Sequence, residues 1–104
     1  MIRWIKSHQE YMDFMQAAKA CRTEHFYAPT LPSPEGLALG ITISKKVGKA
    51  VQRNRLKRRI KAWCIMHPED LATQGKMNLI ARKGAAELSW EQLSAELCQL
   101  MRSV

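Results

Sequence analysis

The segment from Lys45 to Lys61, KKVGKAVQRNRLKRRIK, holds nine of the chain's seventeen basic residues and no carboxylate. Outside it, eight Lys and Arg stand against nine Asp and Glu, a remainder of minus one, so the formal net charge of +8 arises here. A block of like charge repels itself and persists only where a polyanion, or water and salt, relieves it. The segment is also periodic. Leu56, Ile60, Trp63 and Cys64 recur at i, i+4, i+7 and i+8, which predicts a helix over Gln52–Met66 with one apolar stripe. At 100° per residue, Asn54, Arg55, Lys57, Arg58, Arg59 and Lys61 spread over the other side. Arg53 falls nearer the stripe, where its methylene stem can pack while the guanidinium reaches outward. Any fold must bury one seam of this helix and leave the rest to solvent or to an anion.

Arginine leads lysine in the first turns of that helix, and its planar fork pairs with phosphate oxygens two at a time. The pattern favours nucleic acid. A solvated basic face, an acidic membrane surface and a calmodulin-like partner are the other readings.

A length of 104 residues predicts a single domain, 1–104, made a nucleic-acid-binding one by its basic helix, and 46% apolar content suffices for one core without disulfides or metal. Cys21, Cys64 and Cys98 are odd in number and lack CxxC spacing, so they read as reduced packing residues. No apolar run approaches the roughly 18 residues of a membrane span, and the opening MIRWIKSHQEYMDF turns acidic too soon for a signal peptide. No membrane partner and a cytoplasmic location are expected.

Ser7 with Glu10 has capping-box spacing, and Tyr11, Phe14, Met15 and Ala18 continue a helical stripe, predicting a first helix over Ser7–Lys19. A short strand at His25–Ala28 should then yield to a loop containing Pro29, Pro32 and Pro34. Leu37, Leu39, Ile41 and Ile43 alternate with Ala38, Gly40, Thr42 and Ser44, the period of a strand. Its second face is small or lightly polar, leaving room for another chain or for a helix. A third short strand is expected near Val47–Val51, with Gly48 available for positive φ. His67-Pro68 stops the basic helix. Glu69–Lys76 reads as a polar linker and Met77–Arg82 as a strand turned by Lys83-Gly84. Ser89 with Gln92 is a second capping box, Leu88 and Leu93 form a staple, and Leu93, Leu97, Leu100, Met101 and Val104 carry the last helix. The order α-β-β-β-α-β-α implies an α+β fold with a small mixed sheet of about four strands and three helices.

Catalytic signatures are missing. His8, His25 and His67 have no partners at metal-ligand spacing, and there is no GxSxG, P-loop or GxGxxG. No catalytic residue and no metal ligand is therefore assigned to the protein.

SKKVGKAVQRNRLKRRIKAW, Ser44–Trp63, closely resembles the signature of the bacterial ribonuclease P protein subunit, with its Arg-Asn-Arg-x-Lys-Arg helix. DFMQAAK, LGITIS and NLIARKGAAELSWEQL extend the likeness over about Asp13–Met101. The resemblance implies a ribosomal S5 domain 2-like sandwich. It also implies a ribonucleoprotein endonuclease whose RNA subunit, with Mg2+, releases the 5′ leader from precursor tRNA. The protein would be monomeric within that assembly and would bind both RNAs. Carried over, Lys45, Lys46, Lys49, Arg53, Asn54, Arg55, Lys57, Arg58, Arg59 and Lys61 would contact RNA. Phe14, Phe26, Thr42 and Ser44 would line a cleft for the single-stranded leader. Ala18 and Pro29 stand where further aromatic rings would be expected, which implies weaker leader contacts. A ribosomal or RNA-chaperone protein and a DNA-binding regulator are the rival readings.

Overall fold

The computed structural model describes residues 2–72 and 74–102. Val104, expected on the last helix, lies outside them, as does Thr73 of the polar linker. Among the described residues the elements run β1 (Arg3–Trp4), α1 (His8–Asp13), β2 (Lys19–Arg22), β3 (Phe26–Leu31), β4 (Leu37–Thr42), α2 (Ala50–Met66), β5 (Gly75–Ala81) and α3 (Trp90–Arg102), with 3₁₀ turns between several of them. One five-stranded sheet has the order β1-β4-β5-β3-β2. β1, β4 and β5 are parallel, while β3 is antiparallel to β5 and β2 to β3. α2 forms the connection between the neighbouring parallel strands β4 and β5.

The α+β class and three helices hold, with five strands rather than about four. The first helix is shorter than its stripe suggests. It tightens into a 3₁₀ turn at Phe14–Gln16, Ala17 turns extended, and Lys19–Arg22 pairs with Tyr27–Thr30. Ladder hydrogen bonds available only in the folded sheet outweigh a weak helical preference there. Ser7 makes no side-chain cap, and Glu10, the other half of the expected box, is engaged elsewhere: it accepts from both terminal nitrogens of Arg3 at 2.8 and 2.7 Å, and from Lys76 at 3.3 Å. No strand forms at Val47–Val51, where a 3₁₀ turn at Lys45–Val47 leads into α2.

Pro29 lies inside β3 rather than in a loop. It pairs with Ala20 of β2, and the register with β5 joins Phe26 to Ala81 and Tyr27 to Ile80, then Thr30 to Met77 and Leu31 to Lys76, passing over Ala28 and Pro29. A missing N–H is tolerated where the ladder is interrupted. Gly48 is extended, not positive in φ. It serves instead as space: a β-carbon there would come within 2.5 Å of Gln52 Oε1, which accepts the backbone N–H of Lys49 at 2.9 Å and so closes the start of α2.

The main core lies between the sheet and α2 and α3. Leu56, Ile60, Trp63 and Cys64 all point into it, as their spacing requires. Burial pushes the Cys64 thiol up to about 12, consistent with a packing residue. Trp63 Nε1 donates to Ser94 Oγ at 2.8 Å, joining the two helices. The Ser89–Gln92 box forms in both directions, at 2.9 and 3.1 Å, over buried Leu88 and Leu93. A smaller cluster of Ile5, Phe14 and Ala38 sits on the sheet's other face beneath α1, flanked by Tyr11 and Leu31.

Candidate nucleic-acid interface

With its seam sealed in the core, α2 turns its cations outward. Lys45, Lys46, Lys49, Asn54, Arg55, Lys57 and Arg58 are exposed, and Arg53, Arg59 and Lys61 are half-buried. Among the described residues, every ion pair involves Glu10, Glu24 or Glu96 with Arg3, Lys76 or His25. None touches Lys45–Lys61. Burial, followed by the charge of Arg55, holds Arg59 below its ordinary pKa. Arg53 Nε is buried with no hydrogen-bond partner among the described residues, so its stem packs as its position near the stripe predicts. The first turn of α2 carries no acidic residue, and the partial positive charge of the helix start adds to the three lysines before it.

The sheet's second face supplies a different surface. Its register aligns Thr42, Ile80, Tyr27 and Arg22 in one cross-strand row. Gly40, Asn78 and Ala20 belong to the next row. α1 covers the far end, where Phe14 meets Ile5 and Ala38, and leaves the Thr42 row open. Thr42 Oγ1 donates to Asn78 Oδ1 at 2.9 Å, and the Arg22 guanidinium lies 5.3 Å from the Tyr27 ring centre. Ser44 follows the row's end and is exposed, directly before Lys45.

The four residues assigned to a cleft are therefore not brought together. Thr42 and Ser44 lie along one open edge. Phe14 shares their face but is only 6% exposed, as a packing residue under α1. Phe26 is fully buried in the main core, on the opposite face, and cannot line the groove. Strand alternation makes its neighbour Tyr27 the ring that faces outward, half-buried beside Arg22. Period two from Phe26 was the signal that could have found it. Ala18 is exposed and adds no ring.

At the hairpin between β2 and β3, Glu96 of α3 accepts from Thr23 Oγ1 at 2.5 Å and from the His25 backbone N–H at 2.9 Å, and its other oxygen meets His25 Nδ1 at 2.6 Å. Burial raises the Glu96 carboxyl, but the hydrogen bonds from Thr23 and His25 outweigh it and leave the group below the ordinary carboxylate range. This is a structural tie that fixes the hairpin to α3. Among the described residues no three His, Cys, Asp or Glu side chains group as metal ligands, and no helix is long and apolar enough to cross a membrane.

The family model described as Ribonuclease P matches residues 3–104. The ribonuclease P protein component of Geobacter sp. (strain M21) is 37% identical over 89 residues, covering 85% of this chain and 76% of that protein. That of Geobacillus kaustophilus is 32% identical over 100 residues, 94% of this chain and 83% of its own. Among solved structures, the Staphylococcus aureus RNase P protein superposes with a TM-score of 0.84 at 25% identity, over 96% of this chain and 93% of that one. The RNase P protein from Thermotoga maritima has the same fold, with a TM-score of 0.87 at 20% identity over 98% and 97% of the two chains.

Proposed function

This chain belongs to the ribonuclease P protein family, and from that premise we propose that it binds the catalytic RNA subunit through α2 and the 5′ leader of precursor tRNA along the open groove beside it. One observation carries the reading: nine cations between Lys45 and Lys61 have no carboxylate partner among the described residues, on and just before a helix whose other side is sealed. Phosphates of a bound RNA are the counter-charge that this arrangement lacks. Family membership sets aside the ribosomal and DNA-binding alternatives.

In this reading the protein positions and the RNA reacts. Arg53, Arg55 and Arg58 pair with phosphate oxygens, Lys45, Lys46 and Lys49 extend the field toward the groove, and Lys57, Arg59 and Lys61 enlarge the basic surface of α2. Asn54 offers a neutral amide among them. Along the Thr42 row a strand of variable sequence meets small polar groups and the Tyr27 ring, the kind of surface that accepts unpaired bases without reading them. In this reading the Mg2+ expected for hydrolysis belongs to the RNA subunit, and the assembly works in the cytoplasm. Reconstitution with a bacterial ribonuclease P RNA tests this: the protein should lower the magnesium needed to cleave precursor tRNA at near-physiological salt. Unchanged magnesium dependence would refute it.

A further inference from the structure

Beyond the leader groove and the arginine surface, the structure places an aromatic ring beside the cations on the opposite edge of the sheet. Trp4, in the two-residue edge strand β1, is half-buried, and Lys61 Nζ lies 5.3 Å from the centre of its ring. Next to it runs an open groove of about 520 Å³ bordered by Trp4, Leu37, Cys64, Ile65, Pro68 and Leu71. Ile65, one turn beyond Lys61 on α2, is 75% exposed there. That volume lies in the range of about 300 to 1,000 Å³ typical of sites for small organic groups.

We propose that the Trp4 ring and this groove take an unpaired nucleobase of the same RNA whose phosphates lie on α2. The inference rests on the RNA-binding reading above and adds a stacking site to it. Charge complementarity selects the occupant. Lys57 and Lys61 stand one helical turn apart on the flank that borders the groove, and neither is paired with a carboxylate among the described residues. An apolar peptide or a second copy of the chain would cover these ammonium groups without neutralising them, at a desolvation cost. A nucleotide brings its own anion: its phosphate draws Lys61 off the ring, and the uncovered indole face receives the base. Alternating cation and aromatic ring is how single-stranded nucleic acid is held without sequence readout.

The test measures affinity for a uridine decamer and for a matching strand with abasic riboses, over a series of salt concentrations. Stacking on one aromatic contributes about 1 to 3 kcal/mol, so Trp4→Leu should lower the base-to-abasic affinity ratio at least about fivefold while leaving the salt slope unchanged. Trp4→Phe, which keeps a ring and guards against loss of the fold, should retain most of the ratio. Arg55→Ala should weaken both strands alike and flatten the slope. A ratio unchanged in Trp4→Leu overturns the stacking site while leaving the basic surface intact. No binding of either strand by the parent protein overturns both readings. A dimer in sedimentation that Trp4→Leu dissolves would give the groove to a second copy and also overturn the proposal.

Discussion

Tyr11 packs so closely on Gly40 that a β-carbon at position 40 would lie 2.7 Å from Tyr11 Cε1. Its hydroxyl donates to the Ile5 carbonyl at 3.1 Å and accepts the Ile41 N–H at 3.2 Å, so one side chain ties α1 to β4 and to the segment after β1. The small residues on that face of β4 thus have two uses. Ala38 and Gly40 admit α1, and Thr42 lies in the open row that we propose takes the leader.

Gly40→Ala should displace Tyr11 and loosen α1. Tyr11→Phe keeps the ring and loses both hydrogen bonds, at about 0.5 to 1.5 kcal/mol for each. Urea unfolding should rank Gly40→Ala as at least as destabilising as Tyr11→Phe; a neutral Gly40→Ala would mean that α1 seats without this contact.

The two sides of α2 should respond oppositely. Ile60→Ala, in the sealed core, should cost about 2 to 5 kcal/mol of stability. Arg55→Ala or Arg58→Ala should leave the melting temperature nearly unchanged, weaken RNA binding, and reduce the salt slope by about one phosphate contact.

Phe26 and Tyr27 are neighbours with different expected phenotypes. Phe26→Ala should destabilise by about 3 to 5 kcal/mol, as a large core truncation. Tyr27→Ala should preserve the fold and reduce the gain in affinity that a long leader gives over a short one, measured on paired precursor tRNAs. An unaltered gain would remove Tyr27 from the groove's function.

Acid should act through Glu10 and Glu96. Hydrogen bonding from Arg3, then from Lys76, brings the Glu10 carboxyl down from its ordinary 4.5 to about 2 against the opposing effect of burial, and Glu96 is also held low. A carboxyl depressed in the folded state stabilises fully above its unfolded pKa and loses that contribution as pH falls through the folded one. Stability should therefore decline between about pH 4.5 and 2, and Glu10→Gln should flatten that decline in a pH series of melting curves.

The basic helix was legible because its information is local: Leu56, Ile60, Trp63 and Cys64 state a buried seam at helical spacing, and the absence of carboxylates states the charge. The same holds for the Ser89–Gln92 cap, where both partners lie within one turn. β1 and β2 were not legible. Two residues of β1 are too few for a pattern, and the four of β2 begin at Lys19, where the helix read from Tyr11, Phe14, Met15 and Ala18 was expected to end. Phe26 was misplaced because the likeness named a position without saying which face of the strand it occupies.

The sequence by itself determined that this protein has a neutral scaffold and one helix divided into a buried seam and a cationic surface, since periodicity and charge need no partner to be read. Only the tertiary structure decided that Glu10 ties down Arg3 and Lys76, that Tyr27 and not Phe26 faces the groove, and that Trp4 meets Lys61. Those relations join residues up to 66 positions apart, and they exist only once strand register has brought distant segments side by side.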